Sequence, residues 1–211
     1  GWRSSLTKIY ESLANDYMYS DVNNIMIFPD NHDMSRIYTQ LNEDFDKWKM
    51  AMTLFFTTRG TLQFYYGTEI LMSNPGTSDH GVIRSDFPGG WKGDAVNAFT
   101  GEGLTAQQKE AQEYIRVLAH LRKNSCALNS GELLHFIPQE EVYVYFRTFE
   151  QENIMVLANR NKEGKTIDLA RFSQGLKGAT SGENLITEEK VDLSRGTIEV
   201  GPMETLILWV K

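Results

Sequence analysis

Two short apolar runs, each followed at once by polar residues, constrain the fold of this chain more than any other feature. Residues 25–28 precede a polar stretch that includes Asp33, and residues 62–66 precede one that includes Glu69. The segment between them has the period of an amphipathic helix. Buried parallel strands are almost entirely apolar, and ionisable side chains collect where they end. The pattern therefore predicts a strand–helix–strand unit with a polar site at the carboxyl ends of its strands.

The triplet Asn31-His32-Asp33 is the candidate site at the end of the first run. Its position predicts that these side chains face a ligand. Two structural roles are also open, since Asp33 can cap the next helix and the triplet can close a turn through hydrogen bonds to the backbone. Short motifs match by chance, so the triplet alone favours a structural role. The downstream sequence changes that balance in favour of a ligand site.

Charge and composition exclude several classes of protein. A net charge of −7 argues against a general nucleic-acid binder or a binder of anionic membranes, both of which need a basic face. No run is long and apolar enough to span a bilayer. The single cysteine, Cys126, excludes an internal disulfide framework and a metal site built from several cysteines, and we expect it to be a buried thiol.

The chain changes character near residue 129. Before it, helices are predicted from Trp2 to about Tyr19, between the two apolar runs, and after the capping-box pattern of Thr105 and Gln108. After it, short alternating segments predict strands at residues 133–137, 142–149, 154–159, 166–169, 184–186, 197–200 and 205–210. Regular short strands separated by turns favour an antiparallel sandwich. We therefore place the domain boundary between residues 1–128 and 129–211.

Residues 70–103 form a long irregular segment, which in a compact domain is usually functional. Arg84, Asp86 and Trp91 lie in it and are compatible with a sugar platform or with a loop held by its own ion pair and aromatic ring. His80 resembles a general base beside Asp79, although an exposed loop histidine is the simpler interpretation. The other histidines, at positions 120 and 135, fall in helix and strand patterns and are expected to be structural.

Three of these motifs resemble the α-amylase family of glycoside hydrolases. Residues 28–33 (FPDNHD) are similar to the motif that ends barrel strand seven, and residues 65–69 (YYGTE) to the end of strand eight. Residues 84–91 (RSDFPGGW) look like the neopullulanase and cyclomaltodextrinase branch, particularly of Bacteroides type. The resemblance implies the C-terminal portion of a (β/α)8 TIM barrel, from helix six to helix eight, for residues 1–128. For residues 129–211 it implies the antiparallel β-sandwich called domain C.

The resemblance also assigns roles within a retaining α-glucan hydrolase. Such an enzyme needs a nucleophilic carboxylate and an acid about 5 Å apart. In the family a third carboxylate, matched by Asp33, supports the transition state, and a histidine matched by His32 donates to a sugar hydroxyl. Asn31 orients the turn, while Asp30 and Glu69 have supporting roles. The nucleophile and the acid belong to strands four and five, upstream of this chain, so we expect the chain alone to be inactive.

The implied ligand is an α-glucan such as starch, maltodextrin or pullulan, with Arg84 and Trp91 as further contacts. A glucanotransferase on the same scaffold and a non-catalytic carbohydrate-binding or assembly module remain alternatives. No cofactor or metal is expected in this chain, although relatives bind calcium through upstream segments. The resemblance suggests a periplasmic or cell-surface parent protein. Because two strands cannot close a barrel, self-association through uncovered strand edges is also expected.

Overall fold

The computed structural model describes residues 5–211, so Trp2, where the predicted first helix begins, lies outside the described residues. Within that range the α-helices are α1 (Leu6–Leu13), α2 (Ile37–Gln40), α3 (Phe45–Thr57), α4 (His80–Ile83), α5 (Ala106–Asn124), α6 (Cys126–Ser130) and α7 (Ser173–Leu176). The strands are β1 (Met26–Ile27), β2 (Thr61–Leu62), β3 (Glu132–His135), β4 (Val142–Phe149), β5 (Glu152–Asn159), β6 (Lys165–Asp168), β7 (Ser181–Asn184), β8 (Lys190–Asp192), β9 (Thr197–Val200) and β10 (Thr205–Val210).

The chain forms two compact units, each assembled from segments that are separated in sequence. The first unit contains the described residues up to Ile25, together with Phe56–Thr61 and Leu121–Lys211. The second contains Met26–Phe55 and Leu62–His120. The domain boundary at residue 128 stays a prediction.

The first unit is built on a six-stranded antiparallel sheet with the order β3-β4-β5-β10-β7-β8. A second antiparallel pair is formed by β6 and β9. Apolar side chains from the large sheet, from β9 and from the segment 169–176 form one continuous buried cluster. Burial of such a cluster between two layers is the main source of stability for a sandwich.

Strand β4 is buried on both faces. Val144 and Phe146 belong to the apolar cluster, as the alternating pattern predicted. On the opposite face the Tyr145 hydroxyl bonds to the Thr57 hydroxyl, and the Arg147 guanidinium donates to the carbonyls of Thr57 and Gly131, the latter at 3.0 Å. Burial, followed by the nearby cation of Arg122, lowers the pKa of Arg147 to about 10. An alternating strand thus has a polar but enclosed second face.

Arg122, near the end of α5, donates to backbone carbonyls in the last turn of α3 and directly after it. Its guanidinium donates to the carbonyls of Phe56 at 2.8 Å and Thr58 at 2.9 Å, and also to that of Gly60. The last carbonyls of a helix have no partner within the helix, and a cation there also complements the helix dipole. Burial lowers the pKa of Arg122.

Two expectations for the first unit were wrong. Helix α1 ends at Leu13 and is followed by the 3-10 turn Asp16–Met18, so Tyr17 is 84% exposed and not part of a buried helical face. Asparagine and aspartate favour turns over helix interiors, and Asn15 bonds back to the Glu11 carbonyl at 2.9 Å. Cys126 is exposed, because Ala127 and Leu128 supply the buried side of α6.

The second unit includes most of α3 and α5. Asp44 directly precedes α3 and accepts a 3.1 Å hydrogen bond from the Lys47 amide in its first turn. The predicted capping box before α5 is confirmed, since Thr105 and Gln108 bond reciprocally at 3.0 and 3.2 Å. Trp48 is fully buried and lies 6.4 Å from the Tyr114 ring, between ring centroids.

Strands β1 and β2 are neighbours in a two-stranded sheet, but each is only two residues long. The Gln63 amide donates to the Ile27 carbonyl at 2.9 Å, and the Thr61 amide to that of Ile25 at 2.8 Å. This spacing of donors and acceptors is that of a parallel pair.

No helix within residues 5–211 is long and apolar enough to cross a membrane.

Candidate functional site

The loop that follows β1 is held by Asp30. This carboxylate is fully buried, and its Oδ2 accepts from the amide of Ile37, the first residue of α2, at 2.9 Å. The Thr68 hydroxyl donates to the same carboxylate at 2.9 and 3.1 Å. Burial raises the pKa of Asp30, while these hydrogen bonds act in the opposite direction. Asp30, and not Asp33, therefore serves the start of α2, which removes the capping role considered for Asp33.

Asn31 shapes the turn that presents its two neighbours. Its Oδ1 accepts a 2.8 Å hydrogen bond from the Asp33 amide, an Asx turn of the kind proposed for the triplet. His32 and Asp33 are left pointing outward, with 59% and 63% of their side chains exposed. The His32 Nε2 lies 3.1 Å from the Asp33 Oδ2. Asn31 therefore has a structural role in the turn, while the side chains of His32 and Asp33 stay accessible to a ligand.

Arg84 joins this turn to helix α4. Its Nη2 donates to the Asp33 Oδ1 at 2.8 Å, and its Nε donates to the His32 carbonyl at 3.0 Å. The same Nη2 lies 2.9 Å from the Nδ1 of His80, one turn earlier on α4. We call His32, Asp33, His80 and Arg84 the Asp33 cluster. All four side chains are about half exposed, so the cluster presents a carboxylate together with several hydrogen-bond donors to solvent.

Helix α4 is held in place by Arg36, which is only 1% exposed. The Arg36 Nε donates to the Ile83 carbonyl at 2.9 Å, and its Nη1 donates to the Tyr66 carbonyl. The guanidinium carbon lies 4.1 Å from the centroid of the Tyr65 ring, in a cation–π contact. The Arg36 amide also donates to Asn74 at 2.8 Å. One buried side chain thus connects the segment after β2 to the residue that precedes Arg84.

Glu69 lies in the 3-10 turn Thr68–Ile70 that follows β2. Its Oε2 is buried without a hydrogen-bond partner among the described residues. Burial raises the pKa of Glu69, and the negative charge of Asp30 acts in the same direction. A buried carboxyl with a raised pKa is protonated more easily than an exposed one. Glu69 therefore fits a structural position better than a role that requires a permanent negative charge.

Trp91 is 67% exposed and makes none of the contacts that hold the Asp33 cluster together. Its loop is closed by Asp94, whose Oδ2 accepts from the amides of Gly89 at 2.7 Å and Trp91 at 3.1 Å. Gly89 has φ of +100°, and a Cβ there would lie 2.6 Å from the Asn97 side chain, so only glycine fits. Arg84 pairs with Asp33 instead of Asp86, so the ion pair considered for this loop is not the one that holds it.

The structure therefore brings together four of the predicted residues, namely Asn31, His32, Asp33 and Arg84. It adds His80, which the sequence placed in an exposed loop, and Arg36, which the sequence did not single out. Neither residue lies in a recognisable motif, and both act through contacts between distant segments.

Across residues 5–211, no group of three or more His, Cys, Asp or Glu side chains is arranged to hold a metal ion.

Comparison with known protein families accounts for both halves of the chain. Residues 3–95 match the family described as "Alpha amylase, catalytic domain", and residues 133–209 match the "Cyclo-malto-dextrinase C-terminal domain". Residues 3–95 belong to the α-amylase family. The two matches occur in the order implied by the strand-end motifs and the later antiparallel strands.

Relatives within the α-amylase family include transferases and hydrolases. A cyclomaltodextrin glucanotransferase of Paenibacillus macerans is 29% identical over 75% of this chain and 19% of its own length. A maltogenic α-amylase of Bacillus acidopullulyticus is 29% identical over 82% of this chain and 28% of its own length. The chain therefore spans less than a third of the length of these curated relatives.

Solved structures of α-amylase family members share the fold. The chain matches AmyP in complex with maltose with a TM-score of 0.80 and 18% identity, over 97% of this chain and 44% of that one. It matches the α-amylase of Geobacillus thermoleovorans, complexed with acarbose, with a TM-score of 0.77 and 19% identity, over 99% and 44%. The predicted fold class, a partial catalytic barrel followed by an antiparallel β domain, is confirmed.

Proposed function

We propose that the chain is the C-terminal part of a retaining α-glucan hydrolase that acts on starch, maltodextrin or pullulan-type bonds. The observation that carries this proposal is the state of Asp33. Its side chain is 63% exposed in the loop after β1, is held from both sides by Arg84 and His32, and caps no helix. A carboxylate that is positioned yet accessible is suited to bind a ligand.

The chemistry of the Asp33 cluster suits a neutral sugar. Sugar hydroxyls donate and accept hydrogen bonds, so a carboxylate can accept from them while an imidazole N–H and a guanidinium donate to them. In this proposal Asp33 accepts from hydroxyls of the sugar at the cleavage point, and His32 donates to one of them. These bonds accelerate cleavage only to the extent that they strengthen as positive charge develops in the transition state.

The nucleophile and the acid of a retaining mechanism are assigned to the rest of the complete enzyme. Such carboxyl groups lie about 5 Å apart at the sugar, and this chain offers no motif for them. The proposal agrees with the coverage of the curated relatives, of which the chain spans 16% to 28%. We therefore expect the 211-residue chain to lack hydrolase activity by itself, and we place any calcium site of the enzyme in its remaining segments.

Two similar structures hold α-glucan-related ligands, maltose in one and acarbose in the other, which supports an α-glucan as the ligand here. A glucanotransferase is the second candidate, because several relatives are cyclomaltodextrin glucanotransferases. Both candidates use the same cleavage step and differ in whether water or a sugar accepts the glucosyl group. Product analysis of the complete enzyme with maltodextrin separates them.

The decisive test replaces Asp33 by Asn in the complete enzyme. Loss of one charge-stabilising partner costs about 10²–10³-fold in kcat, whereas the exposed side chain should contribute little to stability. Asp46→Asn, a second exposed carboxylate of the same unit, is the matched control and should leave kcat unchanged. Unchanged turnover of maltodextrin by the Asp33→Asn enzyme would contradict the proposal. Turnover by the isolated 211-residue chain that Asp33→Ala abolishes would contradict the assignment of the other carboxylates.

A further inference from the structure

His80 makes an unusual contact for a histidine beside an arginine. Its Nδ1 lies 2.9 Å from the Nη2 of Arg84 and 4.0 Å from the Oδ1 of Asp33. A guanidinium can only donate hydrogen bonds. The Nδ1 of His80 must therefore accept, which requires an unprotonated Nδ1. The contact as observed defines a neutral imidazole that carries its hydrogen on Nε2.

This acceptor completes the hydrogen bonding of one edge of Arg84. The two hydrogens of Nη2 are directed to Asp33 Oδ1 and to His80 Nδ1, and the hydrogen on Nε is directed to the His32 carbonyl. A planar guanidinium with three fixed donors cannot rotate without breaking at least one of these bonds. His80 thus limits the directions from which Arg84 can approach Asp33.

We propose that His80 is a positioning residue whose neutral imidazole holds Arg84 against Asp33, and whose protonation releases Arg84. A proton on Nδ1 removes the acceptor and places a second cation 2.9 Å from the guanidinium nitrogen. The His80 Nδ1 that would carry this proton lies 4.0 Å from the Asp33 Oδ1, close enough for the imidazolium to replace Arg84 as the partner of Asp33 after a small side-chain rotation. The contact itself stands on the structure, while its effect on catalysis rests on the proposed function.

Other ionisable groups face His80 and define the controls. On its own helix these are Arg84 and the N-cap residue Asp79, whose Oδ1 accepts from the Gly81 amide at 2.7 Å. From the loop after β1 they are Asp33 and His32, and His32 contacts the opposite oxygen, Oδ2, of Asp33. Histidine side chains generally change charge between pH 5 and 8, so the two histidines must be observed separately.

The first test is nuclear magnetic resonance of the 211-residue chain with 15N-labelled histidine and arginine. Two-bond nitrogen–hydrogen correlations distinguish the tautomers. At pH 8 we expect His80 to carry its hydrogen on Nε2, and the Nε–H signal of Arg84 to be resolved and slow to exchange. At pH 5 the Arg84 signal should broaden, and His80→Ala should produce the same change at pH 8. A hydrogen on Nδ1 of His80 at pH 8, or an Arg84 signal unaffected by His80→Ala, would overturn the proposal.

The second test uses the complete enzyme. Asparagine places a carbonyl oxygen near the position of Nδ1 and cannot gain a proton, so His80→Asn should keep kcat/KM within about twofold while flattening its pH profile between pH 5 and 8. His80→Ala should lower kcat/KM about fivefold, the effect of losing one net hydrogen bond. His120→Asn, on the exposed side of α5, is the control. The proposal would be contradicted if His80→Asn lost as much kcat/KM as His80→Ala. It would also be contradicted if the pH profile of His80→Asn were identical to that of the wild type.

The two tests separate this inference from the proposed function. If the complete enzyme does not act on α-glucans but the resonance experiment gives the expected tautomer and coupling, the function fails and the positioning of Arg84 by His80 stands. If the enzyme is active and loses activity with Asp33→Asn, while His80 carries its hydrogen on Nδ1, the function stands and this inference fails.

Discussion

The Arg84 Nη2 lies 2.8 Å from the Asp33 Oδ1, and this hydrogen bond links residues that are 51 positions apart in the chain. The loop after β1 and helix α4 are thereby joined at one carboxylate. Since the Arg84 Nε also donates to the His32 backbone, the guanidinium fixes both the side chain of Asp33 and the turn that carries it. The orientation of Asp33 is consequently determined by two segments and not by its own loop alone.

Replacing Arg84 by Ala in the complete enzyme should lower kcat/KM for maltodextrin about tenfold, because Asp33 then samples orientations that do not match the sugar. Arg84→Lys should recover only part of the loss, since an ammonium cannot reproduce the planar fork. Exposed ion pairs contribute about 0–1 kcal/mol, so the free energy of unfolding should change little. Steady-state kinetics and urea unfolding measure the two effects. The exposed Arg116→Ala variant is the control, and an equal effect on kcat/KM in it would contradict this account.

Arg36→Lys should destabilise the chain by about 2–4 kcal/mol. A lysine at this buried position cannot donate to both the Ile83 and the Tyr66 carbonyls and leaves one of them without a partner. Urea unfolding measures the change, and Arg195→Lys, at a side chain 84% exposed, should stay within about 0.5 kcal/mol of wild type. Equal stability of the two variants would mean that Arg36 does not hold α4.

Arg122→Met should also cost about 3–5 kcal/mol, because the carbonyls of Phe56, Thr58 and Gly60 lose a shared buried donor. The neighbouring Lys123 is exposed at the same end of α5, so Lys123→Met provides a control that differs by one position. Thermal or chemical unfolding of both variants tests the prediction. A cost below about 1 kcal/mol for Arg122→Met would show that other groups satisfy these carbonyls.

The titration of Glu69 and Asp30 should lower the free energy of unfolding as the pH rises from about 4 towards neutrality. Burial raises the pKa of both carboxyls above their ordinary values of 4.5 and 3.8. The folded chain then binds more protons than the unfolded chain within the shifted range, so raising the pH through that range favours unfolding.

Glu69→Gln removes one of these two groups and should flatten the dependence of the unfolding free energy on pH between about 4 and 7. Glu102→Gln, at an exposed loop position, should retain the wild-type slope. Urea unfolding at several pH values measures the slope for each variant. An unchanged slope in Glu69→Gln would indicate that Glu69 titrates alike in the folded and unfolded chains.

The sequence predicted the strands best where apolar and polar residues alternate. The bounds of β4, β9 and β10 are those expected from the pattern, because one face of each supplies the apolar cluster. The hairpin of β7 and β8 is different, as β7 lies at Ser181–Asn184 instead of residues 184–186, and β8 was not predicted. These strands are mostly polar, so backbone pairing, and not side-chain burial, determines their position.

The candidate site was predictable in part for a similar reason. Asn31, His32 and Asp33 stand in a motif that follows the first apolar run, and Arg84 opens the motif of residues 84–91, so local sequence carries the signal for all four. The role of Arg36 depends on its bond to the Ile83 carbonyl, 47 positions along the chain. The role of His80 depends on Arg84, whose bond to the His32 carbonyl spans 52 positions. No local pattern encodes such distances, and the exposure of Cys126 was missed because its helix is only five residues long.

The enclosure of β4 on both faces has a consequence for how the molecule opens. Its neighbour β5 is equally shielded from Asn153 to Asn159, and the two strands pair over eight residues. Amide hydrogens in the middle of this pair can reach water only when the whole first unit comes apart, whereas those of the edge strand β8, which has no buried residue, can do so by local fraying. Deuterium should therefore enter β4 and β5 last, and their exchange rate reports the global free energy of unfolding of that unit.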